Sequence, residues 1–270
     1  MVRIVPIHPT IGVEIHGLDL SGDLTEDERA LVNAALRQWK AVFFREQKID
    51  SDAFVAFASS FGPLLVDDHL PQDGRRATQL AYKQGDDKSP RTDIWHSDRS
   101  YTSQNIAKFI ALRAVALPAT GGDTLFADME KAYAGLSPAM RSMLADLHCI
   151  HDGFPISSPR IPVERWAERK DTMRSAFPIV RAGPSREHAL IYVNAAFTTR
   201  ILELNPDEST VLLNFLFDLP KRPENHCRFR WDEGSIALWD NRRTQHYLSH
   251  DFWPEPRVME RCMIAGEWND

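Results

Sequence analysis

Ser235-Ile236-Ala237-Leu238-Trp239-Asp240-Asn241-Arg242-Arg243-Thr244-Gln245-His246 begins as an apolar run and turns polar at Asp240. A run that short, closed by turn-forming residues, reads as a strand buried in a sheet rather than as a helix. Working outward, similar β-like runs occupy residues 109–117, 123–127, 148–151, 190–193, 227–231 and 258–265, with residues 42–44 as a further short buried strand. Strands outnumber helices, cluster late and do not alternate with them. That order disfavours a doubly wound sheet or an eight-fold α/β barrel, and it predicts a mainly β fold: a sandwich or open barrel with helices packed outside.

Helices are marked by their caps. Thr25 followed by Glu28 is a capping box ahead of the apolar stripe Leu31, Val32, Ala35, Leu36 and Trp39. A second helix runs from about Ser51 through Phe54, Val55, Ala58 and Phe61 to a stop at Gly62-Pro63. Ser137 caps a third with Pro138 in its first turn, and Asn205-Pro206-Asp207-Glu208 opens a fourth. Segments 66–93 and 153–176, rich in Asp, Arg, Lys, Ser and Pro, take no regular assignment; loops of that length often face substrate.

With 270 residues, 43% of them hydrophobic, the chain can bury roughly three quarters of its unfolded surface without disulfide staples. No Gly/Ser-rich or Pro-rich linker divides it, so residues 1–270 read as a single domain. A net charge of −6 with dispersed Lys and Arg leaves no field for nucleic acid. No apolar stretch reaches the ~18 residues of a membrane span, and Met1-Val2-Arg3-Ile4 lacks a signal-peptide core. Cys149, Cys227 and Cys262 are odd in number and widely spaced, which fits a reducing cytoplasm.

Common catalytic signatures are absent: there is no Gly-x-Ser-x-Gly, His-Glu-x-x-His, Walker or Gly-x-Gly-x-x-Gly motif. What remains is a histidine and carboxylate pattern. In Ile94-Trp95-His96-Ser97-Asp98 the imidazole and carboxylate are two residues apart, so on extended backbone they share a face. Among 10 His, about one His-x-Asp arises by chance, so the motif alone decides little. His246, after the polar turn, is the natural third ligand, and two His plus one carboxylate leave open positions on a non-haem iron. Arg257 and Arg261, four apart on a strand beside Met259 and Met263, face inward and need anions. A dicarboxylate bound at the metal would serve, and Thr124, after Gly121-Gly122, could add a hydroxyl donor. Residue by residue the alternatives are plain: core histidines, an ordinary salt-bridge network through Glu260 or Glu267, and a strand threonine. As a whole, the residues also admit a non-catalytic small-molecule binding or sensing protein, or a zinc or other metal hydrolase.

The sequence resembles the taurine dioxygenase and 2,4-dichlorophenoxyacetate dioxygenase family of Fe(II)- and 2-oxoglutarate-dependent oxygenases. The resemblance spans the whole chain. It is carried by Pro9-Thr10-Ile11-Gly12 with Gly17-Leu18-Asp19-Leu20, Trp95-His96-Ser97-Asp98, residues 120–128, Phe197-Thr198-Thr199-Arg200-Ile201, and residues 239–246 with Arg257 and Arg261. It implies a double-stranded β-helix, a jelly-roll or cupin-like barrel with flanking helices. It implies iron at His96, Asp98 and His246, the distal carboxylate of 2-oxoglutarate at Thr124 and Arg257, and Arg261 reaching the substrate anion and the keto-acid end of the cosubstrate.

The reaction so implied consumes O₂, releases succinate and CO₂, and oxidises a C–H bond of a small, anionic substrate. Because Asp98 is present, hydroxylation is expected rather than halogenation; desaturation, or hydroxylation followed by C–S or C–O cleavage, uses the same centre. Taurine-specific members place His and Tyr where this chain has Asp67 and Leu70, which points away from taurine. Asp67, with Asp68 and His69, could instead face a cationic substrate group, or form a solvated loop cluster. Relatives of this kind assemble as homodimers or homotetramers, and the same is expected here.

Overall fold

The computed structural model describes residues 1–66, 77–82, 93–158, 161, 163–183 and 188–269. The chain opens with β1 (Arg3–Pro6) and β2 (Val13–His16), then α1 (Glu26–Trp39), β3 (Ala41–Phe44) and α2 (Ser51–Ser59). Strands β4 (Leu64–Leu65), β5 (Thr78–Tyr82), β6 (Ala107–Ala116) and β7 (Thr124–Asp128) follow. A more mixed stretch comes next: α3 (Met129–Ala134), α4 (Pro138–Leu144), β8 (His148–Asp152), α5 (Phe154–Ser157) and α6 (Trp166–Thr172). It continues through β9 (Arg174–Pro178), β10 (Val180–Ala182), β11 (Ala189–Ile191), β12 (Thr198–Ile201) and α7 (Pro206–Phe217). The chain returns through β13 (His226–Phe229), β14 (Ile236–Asp240), β15 (Thr244–Leu248) and β16 (Arg257–Ala265).

The large sheet runs β1-β2-β3-β14-β6-β16-β4, with β5 also paired to β16; a smaller one runs β13-β7-β15. Pairing within both is antiparallel except between β2 and β3. Alternation along the central strands explains why they read as continuous apolar runs. Phe43, Ala237, Trp239, Met259 and Met263 point toward the small sheet, where Phe43 stacks on Phe229 at 4.0 Å and Trp239 meets Phe126 edge-on at 5.1 Å. Val42, Phe44, Ile236, Leu238, Cys262 and Ile264 point the other way, under Val32, Ala35 and Leu36 of α1 and Phe54, Phe57 and Ala58 of α2. The result is an open jelly-roll sandwich with helices outside, as expected, and it does not close into a barrel.

The caps form as read. Thr25 and Glu28 close the capping box of α1, Asn205 and Glu208 that of α7, and the Ser137 hydroxyl accepts from Met140 N–H. The helix over residues 51–61 ends earlier, at Ser59, because the chain beyond it tightens to three-residue bonds, Phe61 N–H to Ala58 O and Gly62 N–H to Ser59 O, both at 3.2 Å. Within the two unassigned segments the described residues form β5, α5, α6 and β9.

A buried charge network ties this frame together. Arg243 grips Glu130 with two bonds of 2.7 and 2.8 Å and donates to the Arg37 carbonyl at the end of α1. Lys40 bridges Asp128 at 3.0 Å and Glu130 at 3.5 Å. Burial alone would raise the Glu130 pKa, but Arg243 and Lys40 hold it below the ordinary value. Arg243→Met removes both of Glu130's short bonds and leaves the buried carboxylate only Lys40 at 3.5 Å, so it should cost about 3 kcal/mol in urea unfolding; a loss under about 1 kcal/mol would show that the network is dispensable.

Candidate active site

His96 and His246 stand opposite one another in an isolated antiparallel bridge, His96 N–H donating to His246 O at 3.1 Å and His246 N–H to His96 O at 2.8 Å. Opposed residues project to the same face, so the imidazole centroids lie 4.1 Å apart. Asp98, two residues on, returns to that face and sets Oδ1 3.5 Å from His96 Nε2. One ligand atom from each of the three lies within 4.8 Å of the others.

Their protonation suits a cation. His96 Nδ1 donates to the Ile94 carbonyl at 2.7 Å, which orients the ring so that Nε2 is the nitrogen turned toward Asp98. Burial, helped by the neighbouring His96 and opposed by Asp98, pushes His246 down to about 3, so its ring is neutral. Its Nδ1 is buried without a hydrogen bond. Burial would raise Asp98, but Arg261, whose Nη1 donates to Oδ2 at 2.9 Å, and His96 outweigh it and hold the carboxyl well below the usual range. Two imidazoles and a carboxylate form a donor set of the two-His, one-carboxylate type.

Further along the same faces of β7 and β16 lie Thr124 and Arg257. Arg257 is 2% exposed; its Nε donates to the Gly122 carbonyl at 3.1 Å, while its Nη2 is buried without a partner. Burial pushes this guanidinium down to about 10, with Tyr82 and Asp123 pulling the other way. Gly122 has φ +72, and a Cβ there would sit 3.0 Å from Arg257 Cδ, so glycine is what permits the approach. Trp231 Nε1 donates to Thr124 Oγ1 at 2.9 Å, which leaves the threonine hydroxyl proton to donate elsewhere. A buried cation and a hydroxyl, both with spare donors, fit a carboxylate.

An aromatic wall stands beside His96: Phe197 meets it edge-on at 6.4 Å and Tyr101 packs on Phe197 at 5.1 Å. Behind it, His151 is fully buried. Its Nε2 reaches the Tyr192 carbonyl at 3.1 Å, so that nitrogen carries the proton, and Nδ1 accepts from Ser100 Oγ at 3.2 Å. Ser100 Oγ in turn accepts from Asn194 Nδ2 at 2.8 Å, bracing the loop just after Asp98.

Burial pushes His151 down to about 4 from 6.5. Below pH 6.5 the unfolded chain therefore takes up a proton that the folded chain refuses. Stability from this group is complete above that pH, falls as pH drops, and levels off near pH 4. Between pH 7 and 5, urea unfolding of the metal-free protein should lose ~2 kcal/mol on this account. His151→Gln should remove that part of the slope; an undiminished slope would assign it to other groups.

The structure thus brings His96, Asp98, His246 and Arg261 together, with Thr124 and Arg257 on the adjoining strand faces. Glu260, an alternative partner for Arg261, is instead held by Arg113 at 2.7 Å. Asp67 lies outside the described residues. Trp231, Gly122 and Asn241 had no role in the sequence reading; only a buried polar residue beside a motif would have hinted at the last.

The family model for the taurine catabolism dioxygenase TauD, TfdA family matches residues 3–263. The alpha-ketoglutarate-dependent sulfate ester dioxygenase of Pseudomonas putida is 34% identical, over 97% of this chain and 89% of its own length. A crystal structure of a taurine dioxygenase from Burkholderia xenovorans superposes with a TM-score of 0.83 at 29% identity, over 98% of this chain and 90% of that one. The structure of AAD-2 with Mn(II) and N-oxalylglycine gives 0.80 at 26% identity, over 98% of each chain. The chain belongs to the TauD/TfdA family of 2-oxoglutarate-dependent dioxygenases.

Proposed function

We propose that this chain is one catalytic domain that oxidises a small organic anion, with His96, Asp98 and His246 holding Fe(II). The convergence of those three ligand atoms within 4.8 Å carries the reading. Bound Fe(II) with 2-oxoglutarate and O₂ supplies oxidative decarboxylation, to succinate and CO₂, coupled to attack on a C–H bond.

The chain's own residues do the placing. Arg257 Nη2 and the Thr124 hydroxyl would receive the distal carboxylate of 2-oxoglutarate, which gives the buried guanidinium its missing partner. Arg261, its side chain 17% exposed beside Asp98, would meet the substrate's anionic group, while Phe197 and Tyr101 exclude water on the His96 side. A relative named for sulfate esters supports an anionic substrate, with hydroxylation followed by C–O or C–S cleavage as the outcome. Three buried, unpaired cysteines support a reducing, cytoplasmic setting. Assembly as a homodimer or homotetramer belongs to the same reading, and light scattering would test it.

Adding Fe(II) and 2-oxoglutarate without O₂ should produce a weak visible charge-transfer band, and admitting O₂ should release succinate. Absence of both would end the proposal. Once a substrate is found among organic sulfates, sulfonates and carboxylates, Arg261→Ala should lower kcat/KM by about 100-fold, the effect of leaving a bound anion unpaired; an unchanged value would remove Arg261 from substrate binding.

A further inference from the structure

Asn241 sits in the turn between β14 and β15 and is 4% exposed. Its side-chain Oδ1 accepts from Asp98 N–H at 2.9 Å, and its Nδ2 donates to the Asp98 carbonyl at 2.8 Å and to the Ala107 carbonyl at 3.0 Å. Its own N–H donates to the Lys108 carbonyl at 2.9 Å. The amide therefore pairs with both backbone groups of one residue, as a neighbouring strand would, where none of the described strands pairs with Asp98. That residue matters because it opens a sharp turn: Arg99, the next residue, has φ +56, in the left-handed region that a non-glycine residue takes up at a cost. The same turn leads into β15 and His246, so one side chain joins the backbone of the carboxylate to the strand of the second histidine.

We infer that Asn241 is a positioning residue that fixes the Asp98 carboxylate against the His96 and His246 imidazoles. Its side-chain amide is spent on the backbone of Asp98 and Ala107, so it would act on the site through Asp98. The inference rests on the reading of His96, Asp98 and His246 as a metal site, and it assigns the clamp a role in the geometry of that site beyond stabilising the turn.

Mn(II) binding separates the two roles without any turnover. Trp95 adjoins His96 in sequence and Trp239 lies 5.0 Å from His246, so quenching of tryptophan fluorescence reports occupancy. Asn241→Ala should weaken Mn(II) binding by about 10–100-fold, the range found when a ligand's orienting partner is lost. Thr244→Val is the control: it removes a 2.8 Å hydrogen bond to the Asp240 carbonyl in the same turn but none to Asp98. It should lower Tm while leaving Mn(II) affinity within about twofold, as for one neutral hydrogen bond remote from the ligand.

Equal Mn(II) affinity in Asn241→Ala and the unaltered chain would overturn the inference. So would an equal loss in Thr244→Val, because loosening of the turn would then explain both. Should Asn241→Ala fail to fold, Asn241→Ser is held to the same criteria. If the unaltered chain binds no Mn(II), the metal reading itself fails and takes this one with it.

Discussion

In His246→Ala, succinate release supported by Fe(II) falls by at least about 10³-fold, roughly 4 kcal/mol of barrier. The reason is geometric. His246 is the residue that the antiparallel bridge sets against His96, and no fourth His, Cys, Asp or Glu group among the described residues joins His96, Asp98 and His246. Alanine leaves one imidazole and one carboxylate, the latter already held by Arg261 at 2.9 Å. The metal-free fold should survive, since the ring contributes no side-chain hydrogen bond through Nδ1 and is buried neutral. The paired measurement is the rise in Tm on adding Mn(II), present in the unaltered chain and absent in the variant, because a ligand stabilises only the state it binds. Wild-type succinate release from His246→Ala would refute the metal assignment.

Arg257→Met separates binding from stability in the opposite sense. The guanidinium is buried, shifted down to about 10, and short of one partner, so the chain carries a desolvated charge that, in the proposed function, the cosubstrate's carboxylate would answer. Replacing one member of a buried, hydrogen-bonded charge pair costs about 2–5 kcal/mol of binding, so the apparent affinity for 2-oxoglutarate should drop by about 30- to 4,000-fold. Without 2-oxoglutarate, an apolar side chain of similar volume should leave stability unchanged or raise it by about 1 kcal/mol, since an unpaired buried charge has been removed. Calorimetric titration of the anaerobic metal-loaded protein and urea unfolding of the metal-free protein check the two halves. Unchanged 2-oxoglutarate affinity would move the distal carboxylate away from β16.

Much of the frame was legible because its causes are local or two-sided. Capping boxes at Thr25 and Asn205 satisfy helix N–H groups within one turn, whatever the rest of the chain does. Strands such as β6 and β14 are covered on both faces, so nearly every position is apolar and the run stands out. Strand β15 did not stand out, although it carries His246, because its buried residues are polar and satisfied at a distance: Gln245 Nε2 donates to the Val193 carbonyl at 2.7 Å and Thr244 Oγ1 to that of Asp240. Strands β9 to β12 are short and form small separate sheets, a pairing that no periodicity announces.

By itself the sequence determined the two-sided strands, the starts of α1, α2, α4 and α7, and the kinds of ligand available at 96, 98, 246, 257 and 261. Tertiary structure decided who meets whom. His96 and His246 share a face because a backbone bridge opposes them, Arg261 takes Asp98 while Glu260 goes to Arg113, and Arg257 is left with an unanswered donor. Propensity and capping act over a few residues and are written where they act. The pairing of buried charges is settled only when distant strands pack and each polar group must find a partner away from water.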